Sequence, residues 1–101
     1  MSLNPTYFDK KFYVIAYDVV DDRRRNRIMK LLKGYGFHAQ KSVFECYLSA
    51  EQLQRLKHRL QKEINEAEDN IRIYSLTLEQ VQQVHIIGRG ELPKLIDINV
   101  V

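Results

Sequence analysis

Phe12-Tyr13-Val14-Ile15-Ala16-Tyr17, closed by Asp18, is a near-continuous run of β-prone apolar and aromatic residues. Such a run predicts a central strand, covered or paired on both sides, over about residues 12–19. Asp21 or Asp22 can then accept from the free backbone N–H groups that open a helix. The apolar line of that helix, Ile28, Leu31, Leu32 and Tyr35, recurs at spacings of three and four. Gly34 and Gly36 supply its stop, which places it at about 22–34.

Working outward, Phe37 to Tyr47 is strand-like but broken by Lys41-Ser42, which predicts two short strands or one bent pair. Ser49 and Gln52 have capping-box spacing, and Leu53, Leu56, Leu60 and Ile64 line one face of a second helix at about 50–66. Glu66 to Asn70 reads as an acidic turn, and Ile71-Arg72-Ile73-Tyr74-Ser75-Leu76 alternates like a half-buried strand. The order β-α-β-β-α-β specifies an α+β, ferredoxin-like sandwich, with an antiparallel sheet covered on one face by two helices. Many unrelated activities share that layout, so it does not give function. His85-Ile86-Ile87-Gly88 and Leu95 to Val101 are two further strand-like pieces, separated by Gly90 and Pro93. These extra C-terminal strands, from about residue 85, extend the sheet by pairing with a second subunit or within the same chain.

The chain has 101 residues, 45% apolar and 29% charged. That is one domain, over residues 12–101 behind a mixed N-terminal tail at 1–11, and it can bury roughly two-thirds of its surface. A single cysteine, Cys46, excludes an internal disulfide framework and fits a reducing, cytoplasmic location. No apolar run reaches the ~18 residues of a membrane span, and no basic segment followed by an apolar stretch resembles a leader, so no membrane partner is expected.

The net charge of +3 identifies little, but its placement is uneven. Residues 1–47 hold nine Lys/Arg against five Asp/Glu, and residues 48–101 hold seven against eight. Between 21 and 41 lie Arg23, Arg24, Arg25, Arg27, Lys30, Lys33 and Lys41, faced only by Asp21 and Asp22. This cluster can attract phosphates, with Arg23, Arg24, Arg27, Lys30 and Lys41 as nucleic-acid-binding candidates; it can equally be a solvated helix face.

Asp18 ends the apolar run abruptly. A carboxylate there can hold Mg²⁺, or Mn²⁺, both of which favour oxygen ligands and bridge to phosphate. The alternative is a loop aspartate bonded to backbone at the helix entrance. One carboxylate is a poor metal site, whereas two Asp18 residues facing each other across a dyad can share one ion. Arg24 and Arg25 extend the apolar face of the first helix toward its amino end, beside Asp18, where a guanidinium can pair with the carboxylate or grip a phosphate. His38, His58 and His85 have no zinc spacing with Cys46, and no phosphate-binding glycine loop or nucleophile elbow is present. Cys46 reads as a small buried hydrophobe, and Phe44 and Tyr47 mainly as packing residues.

Tyr17-Asp18-Val19, the arginine-rich start Arg23-Arg24-Arg25-Asn26-Arg27, then Gly36 and Gln40-Lys41-Ser42-Val43-Phe44-Glu45 together resemble the CRISPR-associated Cas2 family, the small partner of the CRISPR integrase. The likeness runs in order over about residues 12–88, and the Gln-x-Ser-Val-Phe segment is its specific part. The resemblance implies a ferredoxin-like homodimer that bridges two integrase dimers and helps capture spacer DNA. It also implies a metal-dependent endonuclease acting on single-stranded RNA or double-stranded DNA. Carried over by position, Asp18 is the Mg²⁺ ligand with Tyr17 beside it, Arg25 and Arg27 are the basic helix-start positions, and Ser42 and Phe44 belong to the Ser-Val-Phe segment. His38 stands where many members have arginine. Two other readings remain open: a DNA-binding scaffold without catalysis, and a ferredoxin-like regulatory domain.

Overall fold

Antiparallel pairing on both sides of the first strand organises the chain, which a computed structural model describes for residues 10–94. The elements are β1 (Lys11–Asp18), α1 (Asp22–Lys33), β2 (Phe37–Gln40), β3 (Val43–Leu48), α2 (Ala50–Glu63), β4 (Asn70–Leu76) and a short α3 (Leu78–Gln82). The sheet order is β2-β3-β1-β4, so β1 runs antiparallel to β3 on one side and to β4 on the other. This is the ferredoxin-like arrangement expected from the element order. The expectations for residues 1–9 and for the strand Leu95–Val101 lie outside the described residues.

The alternation of side chains along a strand divides β1 between two environments. Tyr13, Ile15 and Tyr17 face the helices and are buried with Phe44, Cys46 and Leu48 of β3. Ile28 and Leu32 of α1 and Leu56 and Leu60 of α2 close this core. Several of these aliphatic side chains have no exposed surface, and burying each contributes about 1.5–3 kcal/mol. The other face carries Phe12, Val14, Ala16 and Asp18 of β1, in register with Tyr47, Glu45 and Val43 on one side and with Leu76, Tyr74, Arg72 and Asn70 on the other. Only α3 packs near it among the described helices, against β1 and β4, and Phe12 and Val81 are buried there.

Local signals set the element ends. Asp21 accepts from the Arg24 N–H at the start of α1, and the Ser49–Gln52 capping box starts α2. A second such box, Thr77–Gln80, starts α3, an element that the strand-like reading of the tail passed over. Of the two pairings expected for His85–Gly88, the one within the same chain is not formed. Gly88 at φ 88° and Gly90 at φ 149° turn the chain out of an extended course, and Ile87 is left 98% exposed. No helix among the described residues is long and apolar enough to cross a membrane.

Gly36 has a different duty: it lets the end of α1 pass against β3. A methyl group there would collide with Cys46 Sγ and come within 2.5 Å of the Glu45 carbonyl oxygen. Gly36→Ala is therefore expected to lower stability by about 1–3 kcal/mol, measured by urea unfolding. An unchanged midpoint would mean that β3 yields without cost.

Candidate functional site

Asp18 stands at the carboxyl end of β1 on the face away from α1 and α2, opposite Asn70 in the β1–β4 register. Its carboxylate is exposed and has no hydrogen-bond or ion-pair partner among the described residues. Tyr17 is adjacent in the chain but points to the other side of the sheet. Its ring is buried, and its hydroxyl donates to the Lys41 carbonyl at 3.3 Å. Burial raises the Tyr17 pKa, against the opposing charge of Arg25. The neutral phenol is thus a donor that fastens the β2–β3 turn.

Two further bonds hold that turn. The Tyr17 N–H donates to the Ser42 carbonyl at 3.0 Å, and His38 Nε2 lies 3.0 Å from the Lys41 carbonyl. A carbonyl can only accept, so Nε2 carries the proton. The His38 ring stacks on Phe44 with centroids 4.5 Å apart and planes 2° from parallel, and Phe44 also meets Tyr17 at 6.3 Å. Phe44 has no exposed surface and acts by packing. Together Tyr17, His38, Ser42 and Phe44 fix the turn that carries the exposed Lys41 to the same end of the sheet as Asp18.

The arginines divide by partner rather than by sequence neighbourhood. Arg24, expected to reach Asp18 or a phosphate, instead grips Asp69: Nε donates to Oδ2 at 2.5 Å and Nη2 to Oδ1 at 3.0 Å, with Glu68 a further partner at 3.2 Å. Asp69 lies across from the helix start because β4 pairs with β1, which brings the α2–β4 turn against the β1–α1 loop. The Asp69 side chain is wholly covered and also accepts from the N–H groups of Val20 and Asn65. The loop after Asp18 is therefore tied to the turn before β4. Arg25 donates to the Val19 carbonyl at 2.8 Å and pairs with Asp22. Arg27 pairs with Glu63 of α2 at 2.9 Å. Arg23, Lys30 and Lys41 are exposed.

Sequence reasoning missed Asp69, which it placed in an acidic turn. The available signal was charge complementarity between Glu68-Asp69 and the arginine-rich helix start. No group of three or more His, Cys, Asp or Glu side chains able to hold a metal occurs among the described residues. Glu45 shares the open face, but its β1 partner Val14 is four residues from Asp18, on the order of 13 Å along a strand. Among the described residues, Asp18 is thus the single carboxylate at this end of that face. Burial, with the charge of Glu45 adding to it, pushes the Cys46 thiol up to about 12, so it is no nucleophile at neutral pH.

Residues 11–84 match the family model described as CRISPR associated protein Cas2. The chain belongs to the Cas2 family. It is 48% identical, over 81% of its own length and 89% of the relative's, to the CRISPR-associated endoribonuclease Cas2 3 of Synechocystis. Among solved structures, a hypothetical protein from Thermus thermophilus superposes with a TM-score of 0.76 at 41% identity, covering 84% of this chain and 99% of that one. A chain from a partial Cas6-RT-Cas1–Cas2 complex superposes with a TM-score of 0.68 at 32% identity, over 76% of this chain and 90% of that one. The Cas2 match begins at β1 and ends just beyond α3, so it spans the whole sheet and all three described helices.

Asp69 also has a pH signature. The Arg24 guanidinium, aided by the Asn65 and Val20 N–H groups, holds its carboxyl well below the usual carboxylate range. A carboxylate whose pKa is depressed by folding stabilises the native state above its unfolded pKa, about 3.9, and loses that contribution as the pH falls below it. Asp69→Asn is therefore expected to melt at a lower temperature than wild type at pH 7. The gap should persist down to about pH 4 and narrow under more acid conditions. Thermal melts from pH 7 to pH 2 measure this, and a gap independent of pH would contradict the ionic account.

Proposed function

We propose that this Cas2 protein works as a homodimer that bridges integrase dimers and holds DNA while a new spacer is captured. The observation that carries the reading is the face of the sheet away from α1 and α2, which among the described residues only α3 covers, at its Phe12 end. Val14, Val43 and Tyr47 there are only half-buried, and Tyr74 is 49% exposed. Half-buried apolar and aromatic side chains on such a face suit a partner, and a two-fold copy of the same face is the simplest one. The fold shared with a chain from a Cas1–Cas2 complex supports the integrase, Cas1, as the second partner. Basic side chains at the start of α1 and on the β2–β3 turn supply charge for nucleic acid.

A second reading, a metal-dependent endonuclease, is favoured by Asp18 alone. It is unpaired, exposed and on the face through which two copies would meet. A single Asp18 does not make an Mg²⁺ site; two from a dimer fit one, because this ion commonly takes one or two carboxylates and fills its remaining positions with water and phosphate oxygens. When bound, the ion would supply charge neutralisation at the phosphate and a more acidic water. The chain's own part is to hold Asp18 at the end of β1 through the Val20–Asp69 bond and the β1–β4 ladder, and to keep Lys41 nearby for phosphate. A single shared ion stabilises less developing charge than a two-metal clamp, so slow hydrolysis of RNA or DNA is expected.

Two variants separate these readings. Tyr74→Asp should convert the dimer to monomer in sedimentation velocity and abolish spacer acquisition. Asp18→Asn should leave the dimer intact. Continued acquisition by Asp18→Asn assigns the cellular role to the scaffold, and loss of Mg²⁺-dependent cleavage in the same variant assigns the hydrolysis to Asp18. A Tyr74→Asp protein that remains dimeric would remove the open face as the dimer surface.

A further inference from the structure

The geometry points to the depression between α1 and α2 as a seat for the phosphate backbone of double-stranded nucleic acid, with Arg59 and Lys62 of α2 acting beside Arg27 and Lys30 of α1. This rests on the reading that the protein holds DNA, and it locates a surface on the helical side, opposite the face that carries Asp18. The depression, of about 510 Å³, is lined by Arg27, Lys30, Leu31, Arg59, Lys62 and Glu63. Four cations thus face one carboxylate, and that carboxylate is already engaged by Arg27.

The cations are arranged rather than scattered. Arg23, Arg27 and Lys30 recur at i, i+4 and i+7 on α1, and Arg55, Arg59 and Lys62 repeat the same spacing on α2. At 3.6 residues per turn each set forms one stripe, and all six residues are exposed. Two guanidiniums are held in advance: Arg27 by Glu63, and Arg59 by Tyr35, whose hydroxyl lies 3.3 Å from Nη1 and whose ring centroid is 5.9 Å from the guanidinium carbon. Tyr35 is buried, so its packing holds the ring beneath Arg59. Holding a long side chain before binding lowers the entropy lost when a phosphate arrives. Lys30 and Lys62 have no ion-pair or hydrogen-bond partner among the described residues and can release counterions fully.

The lining selects the ligand's form. It holds four cations and no aromatic ring on which a base can stack, a set that fits the phosphate backbone. Single strands are usually gripped through stacking, which leaves a duplex backbone as the better match.

Fluorescence anisotropy of a labelled DNA duplex and of one of its strands, across a KCl series, tests this with the full chain. In the double variant Lys30→Gln/Lys62→Gln, the slope of log K against log salt for the duplex should shrink by about 2 per chain, with an affinity loss of at least about tenfold at 0.1 M salt. Arg59→Gln should weaken the duplex in the same direction. Lys57→Gln, on α2 but outside the depression, should change neither quantity, and circular dichroism melts confirm that each variant folds. Unchanged duplex binding in the variants, while wild type binds, overturns the placement alone; an equal loss for the single strand overturns the duplex assignment. Wild-type protein that binds neither overturns the DNA-holding reading as well.

Discussion

The antiparallel ladders on both sides of β1 are the constraint from which the rest of the molecule follows. With β3 and β4 both in register, neither edge of β1 is free, and its side chains must alternate between two faces. Tyr13, Ile15 and Tyr17 enter the helical core, which leaves Phe12, Val14, Ala16 and Asp18 on the other side. A one-residue slip would send Asp18 into the apolar layer and Tyr17 toward solvent. Strand register, rather than any bond of its own, places the candidate metal ligand.

The ends of that strand are secured by groups with no direct part in chemistry. Asp69 ties Val20 and Arg24 to Asn65, so the loop after Asp18 and the turn before β4 behave as one piece. On the neighbouring side, the Lys41 carbonyl receives both the Tyr17 hydroxyl and His38 Nε2, and the stacked His38–Phe44 pair holds the donor in place. A cluster of familiar site residues therefore resolves into one exposed carboxylate and several side chains that build its surroundings. His38 supplies a ring that stacks and donates at once.

Much of the fold was legible in the sequence because local physics wrote it there. The period-two and period-three-to-four apolar patterns, the Asp21 and Ser49 caps and the break at Lys41-Ser42 each specify structure within a few residues. The α3 box at Thr77 and Gln80 is equally local, although the reading of the tail as strands passed over it. His85–Gly88 has strand-like side chains but pairs with no strand of its own chain, and pairing with a second subunit would be set by the dimer rather than by local sequence.

The sequence by itself determined the β-α-β-β-α-β order, the identity of Asp18 as an abrupt carboxylate after a buried strand, and the concentration of charge in the amino half. Only the tertiary structure decided how the charges are used. Arg24 and Asp69 are 45 residues apart and meet because β4 returns beside β1. Arg27 meets Glu63, and Arg59 meets Tyr35, because α1 and α2 pack together on one face of the sheet. A charged side chain acts on what lies within a few ångströms of it, and packing between distant segments sets that neighbourhood. Spacing along the chain can place an arginine on a helix; it cannot say whether the arginine will face a carboxylate, a ring or solvent.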